Sequence, residues 1–250
     1  LIAVSGTMIF KDLTFYGLDL YKERRLDQLL QRLSDIKGLE WIRLHYAYPS
    51  GFPTEILKVM RERENICNYL DMPLQHISDN MLKAMRRGIT RAKTVDLIQQ
   101  IREEVPGIAL RTTLISGYPG ETEEDFQDLL AFVKETRFNR LGVFQYSHEE
   151  DTHAFKFEDD VPAEVKESRV ATIMEAQQDI SLELNGELMG KTLKVLVDRR
   201  EGEYWIGRTE YDSPEVDNEV LIAGDVPGIG QFCQVEIYDT AEFDLFGTVV

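Results

Sequence analysis

Arg111-Thr-Thr-Leu-Ile-Ser-Gly-Tyr-Pro-Gly-Glu-Thr122 reads as a strand, a glycine turn and a helix start in immediate succession. Leu110, Leu114 and Ile115 with two threonines between them suit a strand covered on both faces, as in a parallel sheet. Gly117 and Gly120 flank Tyr118-Pro119, so the backbone can turn sharply and approach a ligand closely. Thr122-Glu-Glu-Asp125 is a capping-box pattern, and Phe126, Leu129, Leu130 and Val133 follow at helical spacing. An α/β enzyme places such a unit at the carboxyl end of its sheet, where ligands sit, although an ordinary βα loop has the same spacing.

Outward from this unit the pattern repeats. Leu1 to Val4 reads as a short strand, Ser5 to Lys11 shows no period, and Asp12 to Tyr21 reads as a strand end and loop. Leu26, Leu29, Leu30, Leu33 and Ile36 then make one helical face closed by Gly38, and Trp41 to Tyr46 alternates as a strand. Asn68 to Met72 is a strand stopped by Pro73, two helices follow, and Arg140 to Tyr146 is the strand after the opening unit. Strands alternating with helices predict right-handed βα units and a barrel, or most of one. A long helix from Ala163 to Gly186, with Val165, Ile173, Ile180 and Leu184 inward, ends this part. Beyond Gly190 the period drops to 2, and five short strands predict a small OB-like antiparallel β-barrel. The expected domains are 1–188 and 189–250.

Composition limits the function classes. The chain has 250 residues, 43% of them hydrophobic, with no apolar run of membrane-spanning length, so a globular cytoplasmic protein is expected. Cys67 and Cys233 lie far apart and form neither a disulfide framework nor a metal knuckle. The formal net charge of −17 opposes nucleic acid and favours basic partners.

Polar residues at strand ends are the candidates for chemistry: His45 and Tyr48, then Gln75, His76 and Ser78, then Arg111, then Tyr146, Ser147 and His148. Each histidine has a structural reading as a core, capping or loop residue, and the four histidines show no metal-ligand spacing. No nucleophile elbow is present, and Glu149, Glu150 and Asp151 read as surface charge.

Three stretches are more specific: Pro73-Leu-Gln-His-Ile-Ser-Asp79 with Met85-Arg86-Arg87, Arg111 to Phe126, and Leu141-Gly-Val-Phe-Gln-Tyr-Ser-His-Glu-Glu150. Together they resemble the radical S-adenosylmethionine methylthiotransferases, in particular the branch that modifies an aspartate of a small-subunit ribosomal protein. Val197-Asp198, Gly207 to Asp217 and Asp244-Leu-Phe-Gly247 resemble that family's C-terminal TRAM domain. The resemblance implies a partial (βα) barrel joined to a small β-barrel, S-adenosylmethionine as cofactor, and two 4Fe-4S clusters. One cluster, held by a CxxxCxxC set, serves to cleave the cofactor to a 5′-deoxyadenosyl radical. The other, on an N-terminal domain, serves sulfur delivery.

This chain has no CxxxCxxC and ligates neither cluster, so it is expected to be a C-terminal fragment, inactive alone, of an enzyme that methylthiolates the β-carbon of an aspartate. By resemblance, Gln75 and Ser78 approach the methionine part of the cofactor, and Arg111 offers a cation to its carboxylate or ribose. Ile115 to Gly117 pass the adenine, with Phe144 and Tyr146 packing on it. No catalytic base is assigned. Two alternatives differ in class: another barrel enzyme, such as an aldolase or isomerase, or a binding module for protein or RNA. Within the superfamily the alternative is a tRNA-directed enzyme. Residues 190 to 250 carry 5 Lys or Arg against 13 Asp or Glu, which favours a basic ribosomal protein over RNA, with Tyr204, Trp205, Tyr211 and Phe243 as possible anchors.

Overall fold

Five parallel strands in the order β1-β2-β3-β4-β5 form the larger sheet in the computed structural model, which describes residues 4–8 and 12–250. They are β1 (Val4–Met8), β2 (Leu39–Leu44), β3 (Ile66–Asp71), β4 (Ala109–Ser116) and β5 (Arg140–Gln145). The expected strand at Leu1 to Val4 lies largely outside the described residues, and β1 instead occupies part of the aperiodic Ser5–Lys11 stretch. The helices between strands are α1 (Leu26–Ser34), α2 (Glu55–Glu62), α3 (Asp79–Ala84), α4 (Arg91–Glu104) and α5 (Glu123–Thr136), followed by α6 (Ala163–Gly186). Five strands in simple sequence order make an open half barrel, as the alternating pattern predicted.

The two faces of the sheet diverge because side chains alternate along each strand. Ile42, Leu44, Ile66, Leu70, Leu110 and Leu114 join the helices in the main core. Trp41, Cys67, Tyr69 and Ala109 turn to the concave face and meet Leu196, Tyr211 and Phe232 of the C-terminal part. The predicted capping box is present: the Thr122 side chain accepts from Asp125 N–H and Asp125 accepts from Thr122 N–H.

The inward face of α6 is more polar than its periodicity suggests. Ile173 and Ile180 are buried as expected, but Lys166, Arg169, Gln177, Ser181 and Asn185 are buried beside them. Val165 and Leu184 are only partly buried. Two of these polar positions meet backbone of other elements, Gln177 Nε2 donating to the Phe138 carbonyl at 2.9 Å and Asn185 Nδ2 to the Ala241 carbonyl at 2.8 Å. No helix among the described residues is long and apolar enough to cross a membrane.

The remaining strands are β6 (Thr192–Glu201), β7 (Tyr204–Arg208), β8 (Glu219–Ala223), β9 (Phe232–Thr240) and β10 (Asp244–Val249). They close as β10-β8-β7-β6-β9. Four contacts are antiparallel, but β10 and β8 pair in parallel. This corrects the expectation of a wholly antiparallel barrel, and the cause is parity: an odd ring of strands cannot alternate direction all the way round. Val195, Val197, Val220, Ile222, Val235 and Ile237 fill the interior. Gly207 and Gly247 keep it closed, since a Cβ there would come within 2.5 and 2.3 Å of Val195 and Val235 methyls. Among the aromatics expected as anchors, Phe243 is exposed, whereas Tyr211 packs under the half barrel and Trp205 against the small core.

Candidate functional site

The carboxyl ends of β3, β4 and β5 open into a cleft of about 590 Å³. Its floor is built by an irregular extension of β3. Pro73 has no N–H for the ladder, and the buried Thr112 hydroxyl substitutes, donating to the Met72 carbonyl at 2.9 Å and accepting from Leu74 N–H at 3.4 Å. The ladder resumes at Gln75, whose N–H donates to the Thr113 carbonyl at 2.9 Å while its carbonyl accepts from Ile115 at 2.7 Å. Gln75 achieves this with φ 71°. Tyr46 (φ 64°) and Arg86 (φ 56°) line the same cleft, so three non-glycine residues there hold a left-handed backbone. Such strain persists only where surrounding structure imposes it, and it collects at ligand sites.

Four of the seven residues expected around the cofactor line this cleft: Gln75, Ile115, Phe144 and Tyr146. Phe144 is 61% exposed and stands free. Tyr146 packs edge-on against Tyr118 at 5.2 Å, and its hydroxyl lies 3.1 Å from His148 Nδ1. Lys166 sits over the Tyr146 ring at 5.1 Å.

The other three are placed elsewhere. The buried Ser78 hydroxyl donates to Asp125 at the start of α5. Burial acts to raise the Asp125 pKa, but hydrogen bonds from Ser78 and Thr122 outweigh it and hold the carboxyl at about 2. Gly117 turns at φ 79° beneath Lys166, whose Cγ would lie 2.3 Å from an added Cβ, and its N–H donates to Glu121 Oε2 at 2.8 Å. Glu121 also accepts from Ser116 and from Arg169 at 2.8 Å, and lies 3.5 Å from the buried His76. Spacing gave no sign of this buried Glu121–Arg169 pair, because its partners are 48 residues apart.

Arg111 is two residues too early in β4 to reach the cleft wall. Its Nη1 donates to Asp71 at 3.0 Å and its Nε to Asp217 of the β7–β8 loop at 3.2 Å. Arg111, expected at the mouth as a cofactor cation, thus lies outside the residues that line the cleft, with Asp71 on its Nη1 and Asp217 on its Nε. Around it the 209–218 loop closes the amino end of the half barrel. The buried Arg43 donates to the carbonyls of Thr209 and Glu210, Arg140 Nε donates to Asp212 at 2.8 Å, and Tyr69 donates to Asp217 at 2.7 Å. Ser213 Oγ lies 2.7 Å from His45 Nε2, and His45 Nδ1 lies 3.5 Å from Asp71. His45 therefore belongs to this lower network and not to the cleft. Burial works to raise both carboxyls. At Asp71 the hydrogen bonds and charges of His45 and Arg111 reverse it, while at Asp217 burial prevails and the pKa stays above the usual range.

Iron–sulfur ligation does not fit this chain. Burial among aromatic neighbours pushes the Cys67 thiol up to about 12, so it stays protonated at neutral pH, and Cys233 lies in β9 of the other barrel. Among the described residues no three His, Cys, Asp or Glu side chains form a group that could hold a metal ion. A small organic cofactor does fit the cleft, with the Gln75 side chain on its floor and aromatic walls at Phe144, Tyr118 and Tyr146.

Positions 8–133 match the radical SAM superfamily, about half the chain. The chain belongs to the radical SAM superfamily. Positions 189–250 match the TRAM domain. Similar curated proteins named ribosomal protein uS12 methylthiotransferase RimO include one from Cytophaga hutchinsonii, 60% identical over all of this chain and 58% of that protein. Another, from Christiangramia forsetii, is 57% identical over 96% of this chain and 54% of that protein. This radical SAM chain thus spans somewhat over half the length of the curated relatives it matches. The superfamily match covers β2 to β4 of the half barrel with their helices up to residue 133, and the TRAM match covers the closed five-stranded barrel.

Proposed function

We propose that the chain is the cofactor- and substrate-binding part of a radical S-adenosylmethionine methylthiotransferase acting on the β-carbon of an aspartate in ribosomal protein uS12. The observation that carries the reading is 55–60% identity to proteins of that name over 96–100% of the chain, in a protein whose strained cleft lies at the carboxyl end of the sheet. The division proposed is 1–188 for the partial barrel and 189–250 for the TRAM unit, in a cytoplasmic protein.

S-adenosylmethionine, when bound in a cluster-loaded protein, supplies a 5′-deoxyadenosyl radical. This chain's residues bind and orient. Gln75 offers its side-chain amide at the cleft floor, Ile115 passes the adenine, and Phe144 and Tyr146 pack against it. Ser78, Arg111 and Gly117 act one layer back: Ser78 anchors α5, Gly117 lets the turn pass under Lys166, and Arg111 fixes the sheet floor through Asp71 and Asp217. Removal of hydrogen from carbon by a radical needs no protein base, and none is assigned.

The TRAM unit favours a basic ribosomal protein over nucleic acid, because its surplus of 13 acidic over 5 basic residues repels phosphate and speeds encounter with a cationic partner. The decisive experiment restores the upstream gene segment, reconstitutes the enzyme anaerobically, and offers uS12 and bulk tRNA in parallel. A gain of one methylthio group on uS12 alone is expected. Modification of tRNA and not of uS12 would move the function to the tRNA-directed branch.

A further inference from the structure

Arg86 and Arg87 line the cleft, and the roles assigned so far leave them unused. Arg86 follows α3 in the left-handed conformation, at the position where helices most often end on glycine. The terminating bonds are complete, with Arg86 N–H donating to the Lys83 carbonyl at 3.1 Å and Arg87 N–H to the Leu82 carbonyl at 2.8 Å. Glycine would make those bonds without a strained Cβ, so the turn itself gives no reason for arginine.

The side chain gives one. It is exposed on the cleft wall, and among the described residues no carboxylate pairs with it. Its neighbour is fixed: Arg87 Nη2 donates to the Pro73 carbonyl at 2.5 Å, the guanidinium stacks on Tyr48 at 4.2 Å, and Nε is buried without a partner. Burial pushes the Arg87 pKa below the usual arginine range. His153, also on the wall, is held toward its neutral form by desolvation and by the charges of Arg86 and Lys156. Among the described residues Glu149 is the only acidic one lining the cleft. In a chain of net charge −17, this is a cationic opening built for an anion.

We propose that Arg86 is a specificity-determining residue that grips the side-chain carboxylate of the polypeptide substrate, with Arg87 as a fixed second charge behind it. The inference rests on the reading of the chain as part of an aspartate-modifying enzyme. In aspartate the β-carbon is bonded directly to the carboxylate carbon, so a fork holding both oxygens also fixes the carbon that reacts. Asparagine would turn an amide N–H toward the guanidinium and lose one bond of the pair. Arg86 binds and orients only, and no bond to it forms or breaks.

The test uses two readouts. In the restored full-length enzyme, Arg86→Gln should raise KM for uS12 by about tenfold or more, and Arg86→Lys should recover only part of it because a lysine lacks the fork. In this 250-residue chain, the arginine Nε–Hε NMR signals are followed during titration with N-acetyl-aspartate amide, N-acetyl-asparagine amide and S-adenosylhomocysteine. A shift of the Arg86 signal with the aspartyl probe and not with the asparaginyl one is expected. An Arg86 response to S-adenosylhomocysteine alone, or an unchanged KM in Arg86→Gln while the wild type modifies uS12, would overturn the inference and leave the proposed function standing. If the wild type fails to modify uS12, the function falls, and the aspartyl titration still decides whether Arg86 holds a carboxylate.

Discussion

The two ends of the half barrel are made from the same strands and treat charge in opposite ways. At the amino end, Arg43, Arg111 and Arg140 each meet acceptors supplied by the 209–218 loop, and the groups involved are largely buried. At the carboxyl end, Arg86 lacks a carboxylate partner among the described residues, Arg87 meets only a carbonyl and a ring, and three non-glycine residues hold left-handed backbone. The first end is a largely paired interface that secures one part on the other, with Arg43 Nε and Nη1 buried there without a partner and Glu215 of its loop at φ 68°. The second stores strain and unspent charge, which folding alone does not call for and ligand binding does.

The largest effect should come from breaking the paired end. Arg140→Ala leaves Asp212, whose side chain is 1% exposed, with Thr209 as its remaining side-chain partner, so a loss of about 3 to 5 kcal/mol in urea unfolding is expected. A loss below about 1 kcal/mol would mean that water reaches Asp212 and that the two ends differ less than the geometry indicates.

A double-mutant cycle of Arg111→Met with Asp217→Asn should return a coupling of about 1 to 3 kcal/mol. Additivity would detach Asp217 from Arg111 and weaken the case that the TRAM unit supports the sheet floor.

The acid response separates a third position. The Asp125 carboxyl is held at about 2, below its unfolded value near 4, so its contribution is fully present above that unfolded value and is lost as pH falls toward 2. Asp125→Asn should cost about 1 to 2 kcal/mol at neutral pH and flatten the acid limb of the urea midpoint between about pH 4 and 2. An unchanged acid limb would show that Asp125 is not the group titrating there.

The smallest effect has the opposite sign. Arg86→Gly should stabilise the chain by about 0.5 kcal/mol, because the left-handed backbone is relieved, while abolishing any response to the aspartyl probe. A destabilised Arg86→Gly would place Arg86 with the structural arginines of the other end.

Much of the architecture was legible in the sequence. Local signals, each spanning fewer than 20 residues, gave the βα alternation, the capping box at Thr122 and the change of period after Gly190, because backbone propensity and amphipathic spacing act locally. The same signals placed Gln75 and Tyr146 at strand ends and the family resemblance added Ile115 and Phe144, and all four line the cleft. They could not say what Arg111 meets. It shares the strand face of Thr113 and Ile115, but its partners, Asp71 and Asp217, lie 40 and 106 residues away, so only the fold shows that they engage it below the cleft. Nor could they show that Arg86 would be left without a carboxylate or that Glu121 would be buried against Arg169. The sequence by itself determined which segments become strands and helices and where the chemistry-bearing residues sit along them. Tertiary structure alone decided which of those charges are neutralised and which remain free, because ion pairing depends on distance in space and most of these partners come from distant turns of the chain.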